Sequence, residues 1–279
     1  MLHRKRTLSR RAVRWRFLVF LSLAALLLLL SLVAPLLAPH DPTATDSEHM
    51  NEGPSPLFPF GTDRYGRCVC SRLLYGARTS IFSAVALVAL TFVFGTALGL
   101  AAGYFGGVLD TLVLRLAELL QAVPQMVLAI AVAGILGGGL GNAMLALGIS
   151  GWTLYARLAR AQALSLKEEP FVQAAKLMGC GRGTILFKYM LPSMLGPLTV
   201  NASTQLGTMM IGIAGLSFLG IGVTEPQAEW GSMINAGRAF LQLAPWPVLA
   251  PAAAVLVTVM VFNYLGDCAR DVLEAEGEG

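Results

Sequence analysis

Asp, Glu, Lys and Arg are missing from five long stretches of this chain, residues 17–39, 79–109, 119–156, 189–224 and 239–266. A helix needs about 20 consecutive apolar residues to cross a bilayer. The first, second and fifth stretches therefore hold one spanning helix each. The third holds two short ones, broken at Gly137-Gly138-Gly139-Leu140-Gly141, and the fourth holds one long helix with flanking segments. The expected fold class is all-α, a polytopic membrane protein with six transmembrane helices. Composition agrees: 56% of residues are hydrophobic and 13% charged, against roughly 25% charged in soluble domains. Half the usual charge cannot cover a water-facing surface, which excludes an ordinary cytosolic enzyme, a disordered tail and a disulfide-rich secreted module. The 30 glycines suit helices that approach closely through small residues.

The basic residues set an orientation. Arg4, Lys5, Arg6, Arg10, Arg11, Arg14 and Arg16 precede the first apolar stretch. A nucleic-acid-binding arm is the alternative reading of that run, but an apolar helix follows at once, so it reads as a topology signal. With the N-terminus cytoplasmic, Arg115, Arg157, Arg160, Lys167, Lys176, Arg182, Lys188 and Arg270 fall on the same side, and Arg64, Arg67, Arg72, Arg78 and Arg238 outside. The expected organisation is a cytoplasmic basic tail (1–16), an N-terminal transmembrane helix (17–38), an extracytoplasmic loop (39–78), a transmembrane domain (79–267) and a cytoplasmic tail (268–279). Expected helices cover about 17–37, 80–104, 112–136, 142–160, 195–221 and 246–266. The proline-rich loop 39–78 is expected to hold little regular structure, and a second external loop covers about 223–244. The apolar core of the first stretch is longer than that of a signal peptide, and Pro35 and Pro39 disfavour cleavage, so it reads as a retained anchor.

Several chemistries have no residues to carry them. His3, His40 and His49 all precede the second helix, so no membrane core can hold a Ser–His dyad or a histidine metal site, and no phosphate-binding loop of the G-x-x-x-x-G-K-[ST] type occurs. Cys68, Cys70, Cys180 and Cys268 lack zinc-site spacing, and Cys68-Val69-Cys70 is too tight for a comfortable disulfide. No catalytic, metal or cofactor residue is expected. Ion-coupled carriers keep a charge inside a span; here the charges near spans are Arg115, Glu118 and Asp267, all close to helix ends, and Arg115 and Glu118 can pair across three residues. If the chain transports, its driving force is expected from a partner. A stand-alone ion-coupled secondary transporter is the rival reading, and an inert scaffold subunit a third.

The loop that could receive that force is residues 168–180. Glu168 and Glu169 precede Pro170, which suits a first helical turn; Ala174 and Ala175 offer a close-approach surface; Gly179 can end the helix in the left-handed region. A second helical stretch, Thr184 to Met190, is expected to stop at Leu191-Pro192.

The spacing Gln173-Ala174-Ala175-x-x-x-Gly179, followed by Tyr189-Met190-Leu191-Pro192, resembles the EAA loop of ABC importer permeases, with Gln173 where Glu is usual and Tyr189 where Ile is usual. Three further segments resemble the dipeptide, oligopeptide and nickel permeases, C-type subunit: Gly61-Thr62-Asp63-Arg64-Tyr65-Gly66-Arg67 with Ser71 to Ser80, Gly215 to Gly222 with Glu225-Pro226 and Trp230-Gly231, and Asn263-Tyr264-Leu265-Gly266-Asp267 with Arg270-Asp271. Cys68, where that family often has Asp, and the run Gly134 to Gly141 incline the resemblance toward the nickel-type branch. The resemblance implies a type I ABC importer permease (MetI-like) fold in the bacterial inner membrane, and no covalent chemistry. It implies a heterodimer with a second homologous permease, two cytoplasmic ABC ATPase subunits, an extracytoplasmic solute-binding protein, contact with membrane lipid and no nucleic acid. The cargo would be nickel, as ion or chelate, or a di- or oligopeptide. On the residues alone, Gly61 and Gly66 suit a tight external turn, 61–78 reads as a structural collar before a substrate site, Trp230 as an interfacial anchor before a binding-protein contact, and Met209-Met210 as packing before a path lining.

Overall fold

A polyleucine segment has no better option than a helix with its side chains in hydrocarbon, and α1 (Arg10–Leu37) leaves Leu18, Leu26, Leu29, Leu32 and Leu36 exposed, the inverse of a water-soluble helix. The structure, a computed structural model, describes residues 10–277. Arg4, Lys5, Arg6 and Glu278 lie outside the described residues. The helix expected from about 17 begins at Arg10, because the basic residues there are themselves good helix formers.

Among the described residues the fold is helical, with only an isolated antiparallel bridge between Thr62 and Cys68. Helix α2 (Val69–Phe105) starts well before the expected 80. Its first turn is fastened where the Val69 N–H donates to the Gly61 carbonyl, 3.0 Å, and the helix runs about 55 Å. It lies along α5 (Leu140–Lys167) in a glycine seam. A Cβ on Gly95 would sit 2.3 Å from the Trp152 carbonyl oxygen, and one on Gly99 2.2 Å from that of Ala156. The spacing of Gly95, Gly99 and Gly103 is the small-x-x-x-small pattern that lets membrane helices touch backbone to backbone.

The single helix expected over about 112–136 is two. α3 (Gly107–Gln121) and α4 (Gln125–Leu136) meet at 87°. Pro124 causes the break: it has no N–H to continue the ladder, and its ring clashes with the carbonyl four residues back. The glycine turn after α4 links to α5, and the Gly139 N–H donates to Gly222, 2.9 Å. A short α6 (Pro170–Leu177) and a three-residue turn α7 (Arg182–Thr184) lead into a π-helical stretch, Ile185–Met190. This runs without interruption into α8 (Leu191–Phe218). The expected stop at Leu191-Pro192 does not occur, because the Leu191 N–H reaches back five residues to Leu186 and Pro192 sits in the first turn of the α-helical segment, where a missing N–H costs least.

The loop 223–244 carries α9 (Trp230–Gly237). Helix α10 (Trp246–Gly277) continues past the expected 266 because Ala, Arg, Leu and Glu there favour helix. It is antiparallel to α1, with Phe20 stacked on Tyr264 at 5.2 Å, and its far end reaches α8, where Leu273 lies against Gly196. The start of α1, the end of α10 and α6 thus share one end of the bundle. The loops 38–68 and 219–245 share the other. By length and composition three helices, α1, α2 and α10, qualify as spans, and the bent pair α3–α4 makes a fourth. α5 and α8, 28 residues each, reach about 42 Å but carry Arg157, Arg160 and Lys167, or Asn201, Ser203, Thr204 and Gln205.

Candidate functional site

At the α6 end, Val172 and Ala175 are fully buried against Leu100 of α2, Ala159 and Ala163 of α5, and Ile185, Met190, Met194 and Leu198 leading into and along α8. One face of this eight-residue helix therefore packs against α5 and the π-helical stretch that leads into α8, in a core that Leu100 of α2 also joins. The other face presents Phe171, Ala174, Leu177 and Met178 to the outside, with Leu177 90% exposed. The Gln173 side chain donates from Nε2 to the Lys167 carbonyl, 2.8 Å, and the Lys176 Nζ reaches the same oxygen at 3.3 Å, so both fix the hinge between α5 and α6. Gly179 has φ +77°; its N–H donates to Lys176 and that of Cys180 to Ala175, the paired bonds of a glycine-terminated helix. Leu191 packs against this cluster, while Pro192 is exposed. Gln173, Ala174, Ala175, Gly179 and Leu191 come together as one unit; Pro192 stands at its rim.

At the opposite end the collar is an ionic knot. The Asp63 carboxylate accepts from the backbone N–H groups of Tyr65 and Arg67 at 2.9 and 3.0 Å and from Arg67 Nε at 2.7 Å. Arg67 Nη2 donates to Glu225 Oε1, 2.8 Å, and Arg64 pairs with the other Glu225 oxygen at 3.4 Å. Arg72 Nε stands 3.6 Å from Asp63, and its Nη1 donates to the carbonyls of Pro42 and Pro226. Arg67 and Arg72 are buried. Burial lifts the Glu225 carboxyl and the Arg67 hydrogen bond and charge pull it down harder, leaving it below the usual carboxylate range. Gly66, at φ +72°, passes so close to Asp46 that any side chain would collide with its backbone. Gly61 and Gly66 make the expected tight turn.

Trp230 does not sit at an interface. It is 2% exposed, its Nε1 donates to the Leu73 carbonyl at 2.9 Å, and a Cβ on Gly76 would strike its ring. The reason is the neighbouring Glu229, fully buried, which caps α9 by accepting from the N–H groups of Gly231 and Ser232 and binds the Ser80 hydroxyl of α2. Gly231 in turn lies directly on the Ala214 backbone. In the terminal signature, Gly266 brings α10 onto Thr204 and Val200 of α8 and Asn263 lies against Gly207, whereas Asp267 is exposed. Met209 and Met210 are buried in the main core. Arg115 and Glu118 do pair, at 3.2 Å on an open surface. Sequence reasoning missed Glu229, the glycine seam and a pair between Asp110 of α3 and Arg160 of α5, with Arg160 Nη2 2.7 Å from Asp110 Oδ2. Only the seam had a visible signal, its four-residue spacing.

A family model described as a binding-protein-dependent transport system inner membrane component matches residues 95–276, and one described as the N-terminal TM domain of oligopeptide transport permease C matches 14–54. The chain belongs to this family of ABC importer permeases. It is 40% identical over 247 residues to the dipeptide transport system permease protein DppC of Alkalihalophilus pseudofirmus, covering 88% of this chain and 81% of the relative. It is 36% identical over 261 residues to the nickel transport system permease protein NikC of Escherichia coli, covering 94% of each. To the glutathione transport system permease protein GsiD of Pectobacterium atrosepticum it is 38% identical, covering 95% of this chain and 89% of the relative. An inward-facing MetNI methionine ABC transporter shares the fold at a TM-score of 0.51 and 20% identity over 69% of this chain and 94% of that one. As an ABC permease, the chain is a multi-pass protein of the bacterial inner membrane and a non-catalytic transport component.

Proposed function

We propose that this permease is the C-type half of a heterodimer with a second homologous permease, crosses the membrane six times with both termini cytoplasmic, takes its solute from an extracytoplasmic solute-binding protein, and is driven through α6 by two cytoplasmic ATPases. The observation that carries the reading is the division of α6 into a face packed on α5 and on the π-helical entry to α8 and an exposed apolar face of Phe171, Ala174, Leu177 and Met178. A partner gripping the outer face moves α5 and α8 through the inner one. Gln173, Ala174, Ala175, Gly179, Leu191 and Pro192 form that coupling unit. Gly61, Asp63, Gly66, Arg67, Trp230 and Gly231 hold the collar, and Asn263, Gly266 and Asp267 belong to the α8–α10 contact and its edge.

The proposed cargo is a di- or oligopeptide or nickel, as ion or chelate. Cys68 is buried and tied into the bridge with Thr62, and in the run Gly134 to Gly141 only Gly137 to Gly139 leave helices α4 and α5, as a turn, so neither adds support for nickel. If nickel is the cargo, its selectivity resides in the binding protein.

The test is Leu177→Glu in the assembled complex. Docking Leu177 is worth about 1.5–3 kcal/mol and burying an unpaired carboxylate costs more, so copurification of the ATPases and ATP-driven uptake fall at least about tenfold. Folding is unaffected because the residue is 90% exposed in the subunit. Wild-type uptake and copurification with this change remove the coupling role, and uptake by the purified chain alone establishes the ion-coupled rival.

A further inference from the structure

The break between α3 and α4 lies midway along the bundle, and polar side chains stand around it among Leu120, Val123 and Leu154. Gln121 and Gln125 flank Pro124; Ser150, Gly151 and Thr153 come from the middle of α5; Gln205 comes from the middle of α8. They line a cavity of about 210 Å³. Hydrogen-bonding side chains at this depth are costly and rare. Some have structural work. Gln121 donates to Thr153, 2.9 Å, and accepts from Arg157, 2.6 Å, and Thr153 donates to the Ser150 carbonyl, 2.7 Å.

Three groups do not. Ser150 is 7% exposed, and its buried Oγ has no hydrogen-bond partner. Gln125 Nε2 has only distant acceptors, the Leu147 carbonyl at 3.4 Å and Met209 Sδ at 4.0 Å. The first turn of α4, twelve residues long, has no side-chain cap. A helix N-terminus favours acceptor oxygens and negative charge, and the first turn of α4 is open to the cavity side, with Pro124, Met126 and Val127 exposed. An orphaned buried hydroxyl costs stability unless something occupies the site. Unlike the ionic collar, this cluster holds no carboxylate that would repel an anionic oxygen.

Resting on the transport reading above, we propose that Ser150, Gln125, Gln205 and the first turn of α4 form a mid-depth hydrogen-bonding site on the translocation path. It receives the carbonyl and carboxylate oxygens of the solute. Peptides and carboxylate chelates share that chemistry; a bare hydrated cation lacks it.

The experiment uses the assembled importer in proteoliposomes. S150C and Q205C are treated with the water-soluble thiol reagent MTSET, with site-resolved detection because Cys68, Cys70, Cys180 and Cys268 are also present, and with Leu145→Cys on the outer apolar face of α5 as control. Both test thiols label, the control does not, and their rates differ by about fivefold or more between nucleotide-free and vanadate-trapped states, as expected of a path that alternates its access. Binding protein loaded with dialanine slows the labelling. Q125L lowers uptake of radiolabelled dialanine at least about tenfold, the loss of one hydrogen bond to a charged group.

Absent or nucleotide-independent labelling, with binding-protein-stimulated hydrolysis intact, overturns this inference and leaves the subunit's role standing. Protection by free nickel ion but not by dialanine overturns the ligand class. Hydrolysis that ignores the binding protein counts against the transport reading as well.

Discussion

Asp63→Asn tests whether the collar is held by charge. The carboxylate accepts two backbone N–H bonds and the Arg67 Nε–H at 2.7 Å, and Arg72 lies 3.6 Å away. The amide can keep the backbone bonds through its oxygen, but it then turns an NH2 toward two buried guanidiniums, leaving Glu225 as their only counter-charge. Removing one partner of a buried ion pair costs about 3–5 kcal/mol; because Arg67 retains Glu225 at 2.8 Å, the lower end applies. Glu225→Gln is the internal control. Its side chain is 31% exposed, water screens what remains, and the loss is about 1 kcal/mol. At about 2–4 °C per kcal/mol, D63N lowers the apparent melting temperature in detergent by about 6–12 °C and E225Q by about 2–4 °C, compared at one scan rate. The double variant is not additive, since both changes act on Arg67. Equal melting points for D63N and E225Q refute the reasoning, because the buried and half-exposed ends of the knot would then carry the same weight.

Gly99→Ala puts a methyl 2.2 Å from the Ala156 carbonyl oxygen, whereas the nearest atom to a Cβ on Gly148 is 3.5 Å away; G99A therefore forces α2 and α5 apart at a cost of about 1–3 kcal/mol, read as a lower melting temperature, and a G99A protein as stable as G148A removes the seam. The Glu225 carboxyl titrates below its ordinary value of about 4.3. Its contribution is complete above that value and is lost as pH falls through the lower folded one, so melting temperature drops in the acid window below about pH 4. E225Q flattens that drop; an unchanged acid slope in E225Q assigns it to other carboxylates.

Helix existence was legible from the charge-free stretches because lipid demands uninterrupted apolar length, and α6 from Pro170, the alanine pair and Gly179 because each residue type fits one position of a short capped helix. Boundaries were less legible. Charged residues at both ends of the chain marked where the apolar signal stopped, yet α1 and α10 continue through them, since Arg and Glu are good helix formers whatever their solvent. Pro124 lies inside an apolar run with no charge to mark it; it makes an 87° bend and draws together polar groups from α3, α4, α5 and α8. Trp230 was misplaced for a related reason. An aromatic after a span looks like an interfacial anchor when its partners are unknown, and those partners, Leu73, Gly76 and the Glu229–Ser80 bond, lie about 150 residues away in sequence. Buried polar contacts across such separations leave no local pattern, which is why the collar's glycine turns could be read from the chain while the Arg67–Glu225 bond that closes it could not.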